Sequence, residues 1–196
     1  MAVSLAKGGN ISLEKVAPGL VHAVVGLGWN PRVTDGVDFD LDASAILVGD
    51  DGRALSDEDF VFYGNLQDPR GSVVHLGDER VGGTEGADDE TITVDLPALD
   101  PRVARIVVVA SIYDADKRGQ NFGQVSGAYI RVYDGDDPTD DAKVVLFDLG
   151  EEASTETALV FGEIYRHAGD WKFRAIGQGY SSGLAGVIRD YGLQAS

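Results

Sequence analysis

Asp38, Asp40 and Asp42 in the stretch "DGVDFDLDAS" fall on alternate residues, with Phe39 and Leu41 between them. In a β-strand this spacing sends three carboxylates to one face and two large apolar side chains to the other. Neighbouring like charges destabilise a strand, so the row asks for either solvent or a cation. A second acidic window, "GDERVGGTEGADDE" over 77–90, holds Asp78, Glu79, Glu85, Asp88, Asp89 and Glu90 among its glycines. Its Gly-rich backbone can fold tightly and offer carbonyl oxygens beside the carboxylates. Calcium takes roughly six to eight oxygen ligands of these types. Two unit charges 4 Å apart repel by about 1 kcal/mol in water and about 4 kcal/mol at an effective dielectric of 20. Several carboxylates at one edge therefore need protons or a cation, and at neutral pH a divalent metal answers better.

The row is not an EF-hand. Counted from Asp38, Ala43 stands at the sixth position, where Gly is required, and Gly49 at the twelfth, where a bidentate Glu is required. Counted from Asp134, Thr139 and Val145 fail the same test. A calcium site must instead be assembled from separate loops. The acidic windows 50–59 and 134–141 read as solvated turns, and Asp114 and Asp116 as loop ion pairs with Lys117 and Arg118. Glu156 and Glu163 read as projecting from a strand edge. His22, His75 and His167 stand singly among apolar or aromatic neighbours, which favours packing over catalysis. No serine sits in a nucleophile elbow and no phosphate-binding Gly loop precedes a helix, so the chain is not expected to be an enzyme.

The elements that must position these acids are mostly strands. "TITVDL" (91–96) alternates apolar and polar residues, and "RIVVVASIY" (105–113) is a β-branched run suited to a strand buried on both faces. "AYIRVY" and "KVVLFDL" flank a charged connection, and "TALVFGEIYRH" and "WKFRAIGQGY" surround "AGD" as a long hairpin. About nine strands at short spacing predict an all-β antiparallel sandwich. Leu184, Val187, Ile188 and Tyr191 form a helical stripe near the end, with Ser181 or Ser182 as N-cap and Gly192 as stop. The 196 residues suit a single domain over 1–196. With 16 Lys+Arg against 33 Asp+Glu the net charge is −17, which repels nucleic acid and anionic membrane surfaces. There is no Cys, which excludes disulfides, thiolate metal sites and Cys nucleophiles. No signal-peptide pattern opens the chain, and no apolar run is long enough to span a bilayer, so a cytoplasmic location is expected.

"SLAKGGNISLEK", "GLGWNPR", "DFDLDASA", "GSVVHLGD", "DDE", "RGQNFGQVSGAYIRV", "STETALVFGEIYRHAGDWKFRAIGQGY" and "GLAGVIRDYG", in that order, resemble the TerD family of tellurite-resistance and stress-response proteins. The resemblance runs nearly end to end. It implies a calcium-binding β-sandwich holding one or two Ca²⁺ ions and acting in a bacterial chemical-stress and phage-defence system. Carried over residue by residue, the family's acidic site falls on Asp40, Asp42, Asn65, Asp78, Asp88, Asp89 and Glu90. Asn30 stands where the family usually has Asp after "GLGW", and "GGTEGA" replaces the usual "GEGDG" before "DDE", which leaves Glu85 as a substitute carboxylate.

Three function classes follow. The first is a calcium-binding protein whose metal orders a loop end for docking to protein partners of a stress-response complex. The second is a C2-like module that touches membranes peripherally through calcium, and the third is a carboxylate metallohydrolase. The 77–90 loop has no aromatic or basic tip, which weighs against the second. With no Cys and a single Met, the chain has no soft nucleophile to reduce tellurite directly.

Overall fold

The computed structural model describes residues 1–32, 35–77, 88–149 and 155–194. Its strands in chain order are β1 (Val3–Ser4), β2 (Asn10–Ser12), β3 (His22–Gly28), β4 (Leu41–Val48), β5 (Phe60–Val61) and β6 (Val73–His75). They continue with β7 (Glu90–Asp95), β8 (Arg105–Ile112), β9 (Tyr129–Asp134), β10 (Val144–Asp148), β11 (Ala158–His167) and β12 (Asp170–Tyr180). Three α-helices accompany them among the described residues: α1 (Leu13–Val16), α2 (Ala115–Arg118) and α3 (Gly183–Asp190). The strands form two six-stranded sheets, ordered β1-β10-β9-β3-β7-β6 and β2-β12-β11-β8-β4-β5. Every pairing is antiparallel except β1 on β10. The expected antiparallel sandwich with a short C-terminal helix is the architecture observed.

Alternation sets which face is buried. In β7, Glu90, Ile92 and Val94 turn inward while Thr91, Thr93 and Asp95 stay half-buried. In β9, Ile130 and Val132 join the core and Tyr129, Arg131 and Tyr133 lie on the outer face. The continuous run in β8 has a reason of its own. Ile106, Val108, Ala110 and Ile112 face the inter-sheet core, whereas Val107 and Val109 pack with Ile46, Val48 and Val160 under Val187 and Ile188 of α3. Burying each such side chain contributes about 1.5–3 kcal/mol. Gly192, at a φ of 80°, ends the helix as its position suggests. β11 and β12 close through Ala168 and Gly169, both at positive φ (52° and 82°), as a two-residue hairpin turn requires. No described helix is long and apolar enough to cross a membrane.

The strands number twelve among the described residues rather than about nine, and the two that no sequence stretch announced, β1 and β2, span only two and three residues. Two side-chain expectations change as well. Glu163 does not project from an edge: it is buried, held by Arg174 at 3.2 Å and Arg105 at 3.5 Å. The windows read as solvated turns contain buried acids too, Asp59 and Asp134. Burial pushes the Asp59 carboxyl up, against a 2.6 Å hydrogen bond from Ser56.

His22 is exposed rather than packed, with its Nδ1 2.9 Å from Asp136. The hydrogen bond to Asp136 raises its pKa above 6.5, against desolvation and with help from the charges of Asp136, Asp95 and Asp134. A raised folded-state pKa means stability that is complete below the unfolded value of about 6.5 and lost as pH rises through the folded value. The His22 ring protons followed by NMR should therefore titrate above pH 6.5 in the native protein, and Asp136→Asn should bring the midpoint down. An unchanged midpoint would show that the pair does not persist in solution.

Candidate functional site

The described acidic candidates lie where β4 and β7 begin, beside the end of β3. β4 lies next to the sheet edge, and its edge partner β5 pairs only with Ala45 and Ile46. Ahead of that short ladder the Ala43 amide donates to Glu90 Oε2, so a carboxylate from the facing sheet caps the part of the edge that β5 leaves unpaired. Glu90 is 1% exposed, and His75 Nε2 stands 3.5 Å from the same oxygen. Asp42 and Asp40 are both buried. Asp42 alternates with the inward Leu41 and Ala43 and lines a cleft of about 480 Å³ beside Ser111, Tyr113, Thr157 and the start of α3. Asp40 accepts from Arg118 Nη2 at 3.2 Å, and that guanidinium also lies 5.1 Å from the Tyr113 ring. Arg118 therefore pairs with Asp40, while Lys117 alone pairs with Asp114, at 2.9 Å.

The consecutive acids Asp88, Asp89 and Glu90 separate. Asp89 stays against β3: its amide donates to the Leu27 carbonyl at 2.8 Å and its Oδ2 accepts from the Trp29 amide at 3.0 Å. Glu90 turns into the core. Asp88 goes to the outer face, where its Oδ1 accepts from Arg131 Nε at 2.7 Å and Tyr129 OH at 3.2 Å. Its Oδ2 is buried without a hydrogen-bond partner and lies on Gly26, where any Cβ would collide with it. Burial works against the Arg131 charge, but the hydrogen bond and charge of Asp88 outweigh it and hold its pKa above the usual value. Burial first, then the Asp88 charge, pushes the Tyr129 phenol well up and raises that of Tyr133.

The two asparagines are engaged locally. Asn65 Nδ2 donates to the Phe60 carbonyl at 2.7 Å and the Glu58 carbonyl at 3.1 Å, tying its own loop. Asn30 is exposed, bonds through its amide to the Ser126 carbonyl at 2.9 Å, and rests its side chain against Gly127. Asp78 and Glu85 lie outside the described residues. Among the described residues no three of His, Asp or Glu form a metal-holding group by themselves. The donors at this end are carboxylate oxygens, which fit a hard, oxygen-ligated cation such as calcium and not a soft one. Arg118, Arg131, Tyr129, His75 and Trp29 are partners that a search for acids alone passes over. The alternation of "AYIRVY" already placed Tyr129 and Arg131 on one face.

The chain is thus a β-sandwich that carries carboxylates at the starts of β4 and β7. The TerD domain matches residues 1–191, and the chain belongs to the TerD family. It is 54% identical to the tellurium resistance protein TerD of Serratia marcescens over 196 residues, with both chains covered in full. It is 48% identical to general stress protein 16U of Bacillus subtilis over 195 residues, covering 99% of each chain. Among solved structures, a homologue of a telluride resistance protein (TerD) from Streptomyces coelicolor A3(2) superposes with a TM-score of 0.67. That pair is 26% identical, covering 87% of this chain and 96% of the other.

Proposed function

We propose that this member of a tellurium-resistance and stress-response family binds calcium at the carboxylate end and thereby orders a surface for protein partners. The observation that carries the reading is that Asp40 and Asp42 at the start of β4 and Asp89 and Glu90 at the start of β7 lie at the same end of the sandwich, where Glu90 reaches the Ala43 amide of the facing sheet. Asp78 and Glu85 follow β6 in sequence and would complete the oxygen set. Arg118, whose guanidinium lies 3.2 Å from Asp40, supplies a single positive charge against these acids. Calcium supplies charge and a flexible oxygen shell, and the chain's own residues orient the carboxylates. The protein acts as a binding module in the cytoplasm, without catalysis of its own. With no Cys and a single Met, its part in resistance is signalling or scaffolding.

A second reading, calcium-dependent membrane contact, draws support from Leu76, which is 63% exposed and precedes the acidic loop. Calorimetric titration with calcium tests the first reading, with saturable uptake of one or two ions expected. Absence of heat and of uptake would end it. Sedimentation with phosphatidylserine–phosphatidylcholine vesicles separates the two, since only the membrane reading predicts calcium-dependent pelleting.

A further inference from the structure

We propose that Asp88 is not a calcium ligand but a positioning residue, whose latch to Arg131 over Gly26 sets the direction of Asp89 and Glu90. The inference rests on the calcium reading above and corrects the carry-over of all three acids to the metal. Three successive anchors fasten this segment along β3. The Asp88 carboxylate lies on Gly26, the Asp89 amide bonds to the Leu27 carbonyl, and the Asp89 carboxylate takes the Trp29 amide. The latch is built from both sides, since Arg131 also lies 5.0 Å from the Tyr133 ring and Tyr129 adds its hydroxyl.

Asp88 is poorly placed to ligate. Its side chain is 7% exposed, one oxygen serves two donors, and the other is sealed against backbone. A dication at that carboxylate would also have to sit beside a guanidinium whose Nε is only 2.7 Å from it. Repulsion between like charges at such range favours leaving the pair intact. Removing Asp88 would instead free the chain ahead of β7 to turn, and both following carboxylates would lose their aim.

The test is calcium titration of the full chain carrying Asp88→Asn, Arg131→Gln, or both, with Arg131→Lys as the conservative variant. Loss of an outer partner of a ligand typically weakens metal binding about tenfold or more. Both single variants should weaken calcium by similar factors of that order with the number of ions unchanged. The double variant should be no weaker than either single one, and Arg131→Lys should recover part of the loss. Hydrogen exchange at the Trp29 amide, measured without calcium, should quicken in Asp88→Asn and in Arg131→Gln. Loss of a whole site in Asp88→Asn while Arg131→Gln keeps it would identify Asp88 as a ligand and overturn the proposal. If the wild type takes up no calcium, the functional reading falls. The exchange data still decide the latch, since an unchanged Trp29 rate in both variants would refute it.

Discussion

In calcium at a hundredfold excess over Kd the protein should melt about 5–11 °C higher than in excess chelator. A ligand that binds only the native state stabilises by RT ln(1 + [L]/Kd), about 2.7 kcal/mol at that excess. For a domain of this size each kcal/mol moves Tm by roughly 2–4 °C. Magnesium should do less, because it wants strict octahedral geometry and sheds water reluctantly. Asp42→Asn should remove most of the calcium shift. Asp40→Asn should do so too, but without the gain in chelator that relief of repulsion alone would suggest, because it also abandons the Arg118 pair. Arg118→Met exposes the same competition from the other side. With the guanidinium gone, calcium should bind about two- to fivefold more tightly, the worth of a partly exposed ion pair. Asp137→Asn is the control: it loses a pair with Lys143 at 2.9 Å in calcium and chelator alike, so the difference between them stands. Equal melting in calcium and chelator, or a shift that survives both strand substitutions, would leave the aspartates as a solvated face.

The fold was legible wherever a strand was long enough to show its period. β7, β8, β9, the β11–β12 hairpin and α3 all lie where alternation, β-branching or the helical stripe put them. β5 and β6 fall inside the strand-like stretches "DFVFYGN" and "GSVVHL", but β1 and β2 were not legible, since two or three residues carry no period. The acidic end was legible as a place but not as a geometry. Asp88 and Asp89 precede β7, where alternation no longer dictates direction, and their fates are set by Gly26, Arg131 and the Trp29 amide on other strands. Glu163 illustrates the same limit. A charge on an outer face reads as solvated until cross-strand register places Arg174 opposite it and Arg105 within reach. Sequence fixes the face of a residue far better than its neighbour across the sheet.

Glu90 should prove to be the acid that the calcium-free fold itself needs. Glu90→Ala leaves the Ala43 amide without its carboxylate acceptor at a buried edge. An unmade buried hydrogen bond costs about 1–3 kcal/mol, so melting in chelator should fall by about 2–12 °C at 2–4 °C per kcal/mol. A competing effect has the opposite sign, since removing a buried carboxylate also removes its desolvation penalty. Glu90→Gln separates the two. It discards the charge yet keeps an oxygen that can accept from Ala43 and face His75, so in chelator it should melt at or above the wild type. In calcium the order changes: both variants lack a carboxylate ligand, and both should show a reduced shift. The same ranking in chelator and in calcium would assign Glu90 to the fold alone. Glu90→Ala melting with the wild type in chelator would show that the Ala43 amide finds another acceptor and that the bridge between the sheets is dispensable.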